Sequence, residues 1–302
     1  MINTFWGDAV YQTKNDSTMV VGQATATGVA LSRSRETRKE IVTWELIYPR
    51  YIHGELMTHR AFSRNAASSR ATPVAAMVRE VRENPCFFDE LQYNRRGMTG
   101  GEPVDAYTAY KIWSEWNALA RQAADVAEHW SRDFSVAKQV CNRILEPFSY
   151  IRVIVTATEL DNFFRLRLAK DAQPEMQNLA KAMLKSYVEA ERRCEPPGEA
   201  DLWHIPYRDA FEEKDVGDLI VRSIAACARV SVVRGDGKAT TLEEDKLFVQ
   251  SLYDNHHMSP FEHVAYACPG DHYNLNGWKS VRCLLEQDRC TLDGVLDLAR
   301  SW

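Results

Sequence analysis

The chain has 302 residues, a formal net charge of −5, 45% hydrophobic residues and 26% charged ones. A chain of this size buries a substantial core, as one large domain or two small ones, and its acidic balance argues against broad electrostatic capture of DNA or RNA. The seven cysteines are scattered and form no Cys-x-x-Cys pair, no run of about 18 apolar residues suggests a membrane span, and Met1–Asp8 lacks the layout of a signal peptide. Free thiols and a cytoplasmic location, with no membrane partner, are therefore expected.

In chain order, residues 41–48 are β-branched and aromatic with partial alternation, which predicts a strand. Pro49 predicts a short helix to about Met57. Residues 58–70 follow, with three arginines, one histidine and three serines, on the helix end and the loop after it. No carboxylate lies between Glu55 and Glu80, whereas Arg60, Arg64, Arg70 and Arg79 all do. A cationic, hydroxyl-rich island in an acidic protein fits a phosphorylated small molecule, because guanidinium forks and hydroxyls match phosphate oxygens. A solvated basic helix end is the alternative, although Phe62 and Ala66-Ala67 suggest that part of the island packs.

Pro103 to about Trp130 predicts a long amphipathic helix whose aromatic stripe (Tyr107, Tyr110, Trp113, Trp116) belongs to a core or an oligomer interface. Residues 150–157 predict a second strand. Thr158 reads as the N-cap of a helix over Leu160–Leu168, and Pro174 opens another to about Arg192, with Met176, Leu179, Ala180 and Met183 on one face. Pro196-Pro197-Gly198 is the clearest break, dividing a single domain into lobes of residues 1–195 and 196–302. Leu219–Val230 predicts a helix, and Thr241-x-x-Glu244 a capping box for another carrying Leu247, Phe248 and Leu252 inward. Val264–Cys268 reads as strand-like.

Three clusters could carry chemistry: the basic island, the Arg165/Arg167 helix and the His256–His263 segment. A metal site is disfavoured, since adjacent histidines cannot both face one ion on a helix and no His-Glu-x-x-His occurs. A serine hydrolase lacks its Gly-x-Ser-x-Gly elbow, and neither dinucleotide nor P-loop glycine patterns are present. Cys141 is a possible nucleophile, but a buried structural cysteine is the commoner state.

The stretch His59-Arg60-x-x-Ser63-x-Asn65-x-x-Ser68-x-Arg70 resembles the signature of flavin-dependent thymidylate synthases, the ThyX family. Asn142-Arg143-Ile144-Leu145-x-Pro147, Asn162-Phe163-x-x-Leu166-Arg167 and Ala172-Gln173-x-Glu175-x-Gln177 resemble the family's C-terminal half. Ala228-Arg229-Val230-Ser231 and His257-x-Ser259-Pro260-Phe261-Glu262-His263 resemble its N-terminal half. That half follows the signature here, an order that resembles a circularly permuted, phage-type member and would put the enzyme in a host cytoplasm. Residues 1–40, 80–102, 195–215 and those after 270 lie outside the resemblance.

The resemblance implies an α+β fold, a central mostly antiparallel sheet flanked by long helices, assembled as a homotetramer with shared sites. It implies C5 methylation of dUMP to dTMP, with methylenetetrahydrofolate supplying the carbon, FAD relaying a hydride and NADPH as reductant. FAD contacts are implied for Thr58, His59, Arg60, Ser63, Asn65, Thr158, Asn162, Ser231, His257 and Ser259. Glu55, Ser68, Ser69, Arg70 and Arg143 would bind the nucleotide. Arg167 would bind the pyrimidine and act catalytically by favouring its ionisation. No metal is implied. The family pattern is broken by Glu55 for a glutamine, Thr58 for an arginine, Ala66 for a glutamate, Ala71 for a tyrosine, Arg165 for an asparagine and Asp171 for a histidine. These departures leave room for hydroxymethylation, for a cytosine nucleotide, or for an inactive nucleotide- or nucleic-acid-binding relative.

Overall fold

In the computed structural model, residues 17–97, 99–193, 202–230 and 240–301 are described. The elements run β1 (Ser17–Val21), β2 (Ala24–Arg33), β3 (Glu40–Pro49), α1 (His53–Met57), β4 (Ser63–Ala66), α2 (Val74–Glu83), α3 (Ala106–Asp133), α4 (Lys138–Cys141), β5 (Tyr150–Ala157), α5 (Asp161–Arg167) and α6 (Pro174–Arg193). They continue as β6 (Trp203–His204), α7 (Val216–Arg229), α8 (Leu242–Asp254), β7 (Ala265–His272), β8 (Leu275–Ser280), α9 (Val281–Glu286) and α10 (Leu292–Arg300). Five strands form an antiparallel sheet in the order β1-β2-β3-β5-β4, and a three-stranded antiparallel sheet follows the order β6-β7-β8. The expected α+β class with a mostly antiparallel sheet and long helices is what the chain adopts.

The central strands β3 and β5 are buried on both faces, and each face has its own chemistry. Val42, Trp44, Leu46 and Tyr48 join Ile151, Val153 and Val155 in one cluster with Met176, Leu179, Ala180 and Met183 of α6. Strand side chains alternate between faces, so the intervening positions look the other way. There the register sets Thr43 opposite Thr156 and Glu45 opposite Ile154. This second face meets the C-terminal elements. Ser32 Oγ lies 2.9 Å from His204 Nδ1, and Thr43 Oγ1 lies 2.7 Å from His204 Nε2 and 2.6 Å from Thr156 Oγ1. Thr156 Oγ1 lies 2.9 Å from His263 Nδ1. Tyr207 donates to Glu45 Oε2 at 2.7 Å, and Glu45 pairs with Arg152 at 2.9 Å, both carboxylate and guanidinium being nearly excluded from solvent. Burial holds His204 and His263 neutral by lowering each to about 3.

Several expectations need correction. The helix expected over 49–57 splits into a 3-10 turn at Arg50–Ile52 and α1. The helix expected from Pro103 starts at Ala106, where the Asp105 carboxylate accepts from the Thr108 amide. Thr158 caps no helix. Leu160 precedes α5 without a side-chain cap, and the Thr158 hydroxyl instead accepts from the Asn276 amide of β8 at 2.9 Å. The Thr241–Glu244 capping box forms with both of its bonds, but Leu247 points outward at 75% exposure and Val249 takes the buried place. The aromatic stripe of α3 divides, with Trp116 packed against the core and its indole N–H donating to the Cys86 carbonyl at 2.7 Å. Ala120, Ala124 and Ala127 form the buried side against α2, while Tyr107, Tyr110 and Trp113 stand exposed. The lobe break at 196–198 lies outside the described residues.

Candidate active site

Two clusters gather around β4, one at each of its ends. At the first, α1 runs out into Thr58-His59-Arg60, and Arg64 reaches back to stop it. Arg64 Nη1 donates to the carbonyls of Leu56, Met57 and His59 at 3.3, 3.1 and 3.2 Å, adding a cationic donor where the helix's last carbonyls converge. The turn presents the His59 ring edge-on to Phe163 of α5, centroids 4.8 Å apart, with Phe62 packed beneath both. Arg167, on the last turn of α5, then reaches the same turn. Its Nε donates to His59 Nε2 at 2.8 Å, and its Nη2 to the Glu55 carbonyl at 3.2 Å and Thr58 Oγ1 at 3.1 Å.

Burial first, then the Arg167 and Arg64 guanidiniums, lower His59 to about 4. The imidazole is therefore neutral near pH 7. Because Nε2 accepts from Arg167, the ring proton sits on Nδ1. Arg167 keeps one nitrogen, Nη1, without a partner among the described residues, and Arg60 and Thr58 are exposed beside it.

The same strand ties to the C-terminal lobe. Asn65 Nδ2 donates to the Cys227 carbonyl of α7 at 2.8 Å, and Ser259 Oγ donates to Asn65 Oδ1 at 3.3 Å. Ser63, buried at the start of β4, pairs in register with Thr156. Thus Asn65 and Ser259, 194 residues apart, do meet. His257 is exposed, with its backbone amide donating to the Leu252 carbonyl at 2.9 Å, Asn162 is exposed and accepts from Arg165 Nη2 at 2.8 Å, and Ser231 lies outside the described residues.

The second cluster follows β4. Ser68 Oγ accepts from the Arg70 amide at 3.3 Å, and buried Asn142 donates to the carbonyls of Ser69 and Thr72 at 2.7 and 2.9 Å. The loop is thereby fastened to the segment that carries Arg143. Ser69 Oγ and Arg143 both donate to the carboxylate of Glu146, and the Arg70 side chain is exposed. At about 3.3 Å per strand residue, the two clusters stand roughly 13 Å apart along β4. Sequence reasoning missed Glu146 and the bracing role of Arg64. An acid three residues after an arginine was the available signal for the former.

Cys141 is buried and its thiol meets the Val136 carbonyl, while burial raises the Cys86 and Cys227 thiols far from the reactive range. A cavity of about 740 Å³ opens beside the His256–Ser259 turn, lined by Tyr253, Asp254, His256, Met258, Arg282, Leu285 and Glu286. From the His256–His263 segment it takes His256 and Met258, but none of the residues expected to hold flavin or nucleotide.

A sequence profile described as thymidylate synthase complementing protein matches residues 38–190, half of the chain. Among solved structures, a UMP/dUMP methylase PolB from Streptomyces cacaoi bound with 5-Br UMP is similar at 15% identity and a TM-score of 0.41, covering 50% of this chain and 69% of that one. Thymidylate synthase X from Helicobacter pylori, solved with FAD and dUMP, is similar at 20% identity and a TM-score of 0.34, covering 49% of this chain and 67% of that one. No curated protein sequence matches the chain.

Proposed function

Since the chain belongs to the thymidylate synthase complementing protein family, we propose that it methylates C5 of dUMP to give dTMP, using FAD, methylenetetrahydrofolate and NADPH. The observation that carries this reading is the bond from Arg167 Nε to His59 Nε2, which joins two motifs 108 residues apart. A neutral histidine acceptor holds the guanidinium with its Nη1 edge open. That edge is the donor that stabilises negative charge developing on a pyrimidine carbonyl as N3 loses its proton. Ser68, Ser69, Arg70 and Arg143 take the 5′-phosphate at the other end of β4. The donor set fits FAD. Arg60 and Thr58 offer an exposed cation and a hydroxyl, Asn65 and Ser259 add polar groups across the lobe junction, and His59, Ser63, Thr158, Asn162, Ser231 and His257 complete the assignment. FAD supplies the hydride chemistry when bound, and the protein's part is to hold and polarise.

The order of the blocks supports circular permutation, with residues 1–195 and 196–302 as its two lobes. Motifs after residue 227 dock on the signature through Asn65. The exposed aromatic face of α3 supports assembly as a homotetramer. A phage origin, with a host cytoplasm as the setting, stays part of the same reading.

A second reading is favoured by one residue. Glu55, whose carbonyl anchors Arg167, presents a carboxylate where the family has an amide, and a carboxylate accepts from the cytosine 4-amino group. Turnover with dCMP or dUMP, followed by mass analysis of the nucleotide, separates the readings. A methyl gain on dUMP supports the first, and a gain confined to dCMP, or a hydroxymethyl gain, replaces it.

A further inference from the structure

The phosphate loop already holds an anion, supplied by the chain itself. Glu146 Oε1 accepts from Ser69 Oγ at 2.6 Å and from Arg143 Nη1 at 3.1 Å, and Oε2 lies 3.3 Å from the same nitrogen. A second cation lies under the loop. Arg50 Nε donates to Ser149 Oγ at 3.2 Å, and its Nη1 lies 3.5 Å from the carbonyl of Ala67, the residue before Ser68. Burial disfavours the Arg50 charge, and Glu146 is the first of the groups that support it, with Glu80 after it. One carboxylate thus binds a hydroxyl and a guanidinium from two segments, and its charge favours that of a second guanidinium from a third.

A carboxylate and a phosphate ask for the same donors, and two such anions cannot share them without mutual repulsion. Resting on the nucleotide reading above, we propose that Glu146 is a specificity-determining gate of the phosphate subsite. Its carboxylate occupies Ser69 and Arg143 in the free protein, is displaced by the incoming phosphate, and so sets a threshold that only a ligand making further contacts overcomes. The displacement needs only a side-chain rotation. The Glu146 backbone stays fixed, because its carbonyl accepts from the Ser149 hydroxyl and amide and Pro147 follows it. Its side chain is 24% exposed, so solvent is within reach. Glu146 fills the open position of Asn142-Arg143-Ile144-Leu145-x-Pro147, which the motif leaves unspecified.

The test is calorimetric titration of the full chain and of Glu146→Gln with dUMP, deoxyuridine and inorganic phosphate. Glutamine keeps an acceptor for Ser69 and removes the charge. Glu146→Gln is expected to bind dUMP about tenfold tighter, with inorganic phosphate moving the same way and deoxyuridine unmoved. Glu146→Asp, which keeps the charge, is expected to gain much less. Equal gains in both variants overturn the gate. So do unchanged or weaker phosphate binding in Glu146→Gln, a Glu146→Gln chain that fails to fold, and the absence of phosphate binding in either protein, since each makes the carboxylate a brace for the loop. If neither protein takes dUMP while inorganic phosphate still binds tighter to Glu146→Gln, the gate stands and the nucleotide reading falls.

Discussion

Arg167 stands at the meeting point of a backbone carbonyl, a hydroxyl and a ring: those of Glu55, Thr58 and His59. It is half-exposed and fills no core space, so its removal separates chemistry from folding. Arg167→Ala is expected to lower turnover by on the order of a hundredfold or more while leaving the unfolding midpoint nearly unchanged. Retained activity in a steady-state assay removes Arg167 from its role. Asn65 behaves differently, because it bridges lobes. Asn65→Ala leaves the Cys227 carbonyl without its donor, and denaturant unfolding is expected to register a loss of about 1–3 kcal/mol. Much of this was legible in the sequence. An island free of carboxylates, with serines between arginines, pointed to an anion site, and the resemblance to the family signature singled out His59, Ser68, Ser69 and Arg70. What the sequence could not show was occupancy. Arg64 reads as a site cation, yet its guanidinium is committed to three carbonyls, and Arg143 reads as a nucleotide-binding cation, yet Glu146 holds it. Those facts depend on where a helix stops and on which rotamer reaches across a turn.

Strands β3 and β5 were legible because they are mostly apolar and rich in β-branched and aromatic residues, and the observed bounds fall within two residues of the expected ones. β4 was not, because Ser63–Ala66 carries no apolar run. It is a strand only because the edge of β5 is open for it to pair with. In α8 the capping box was read correctly. Thr241→Ala is expected to lower stability by about 1 kcal/mol in thermal or denaturant unfolding, an outcome that an unchanged midpoint contradicts. The same helix shows the limit of a partial apolar pattern, since Leu247 and the buried Val249 are two residues, about 200° of helical turn, apart and so face nearly opposite sides. In α3, small alanines take the inner side and leave Tyr107, Tyr110 and Trp113 as an apolar patch in solvent. Such patches mark contact surfaces. Sedimentation is expected to find the wild-type chain assembled and a Tyr110→Ser/Trp113→Ser double variant shifted towards the monomer. Equal mass for both rejects α3 as the contact.

Across the whole molecule, the joint between the sheet and the C-terminal elements is polar, buried and neutral. Ser32, His204, Thr43, Thr156 and His263 form a continuous file through it, and both imidazoles refuse a proton until about pH 3. In the unfolded chain a histidine takes up its proton near pH 6.5, so between about 6.5 and 3 the unfolded state binds more protons and stability falls as pH falls. Each withheld proton contributes a slope of about 1.4 kcal/mol per pH unit. His59 and His53, lowered to about 4, act in the same sense down to that pH, while Glu80, raised to about 7 by burial, opposes them between its ordinary range and about 7, so the loss is expected across about pH 6.5 to 3. Urea unfolding at a series of pH values measures this, and a His204→Asn chain is expected to show a shallower slope. An identical slope removes His204 from the effect. The two-motif union at Arg167 and His59 leads to one chemical outcome, and mass analysis of the nucleotide tests it most directly. The protein is loaded with FAD and incubated with dUMP, methylenetetrahydrofolate and NADPH. A methyl group gained at C5 by the wild-type chain and not by Arg167→Ala is the expected result; unaltered dUMP from the flavin-loaded wild-type chain contradicts it.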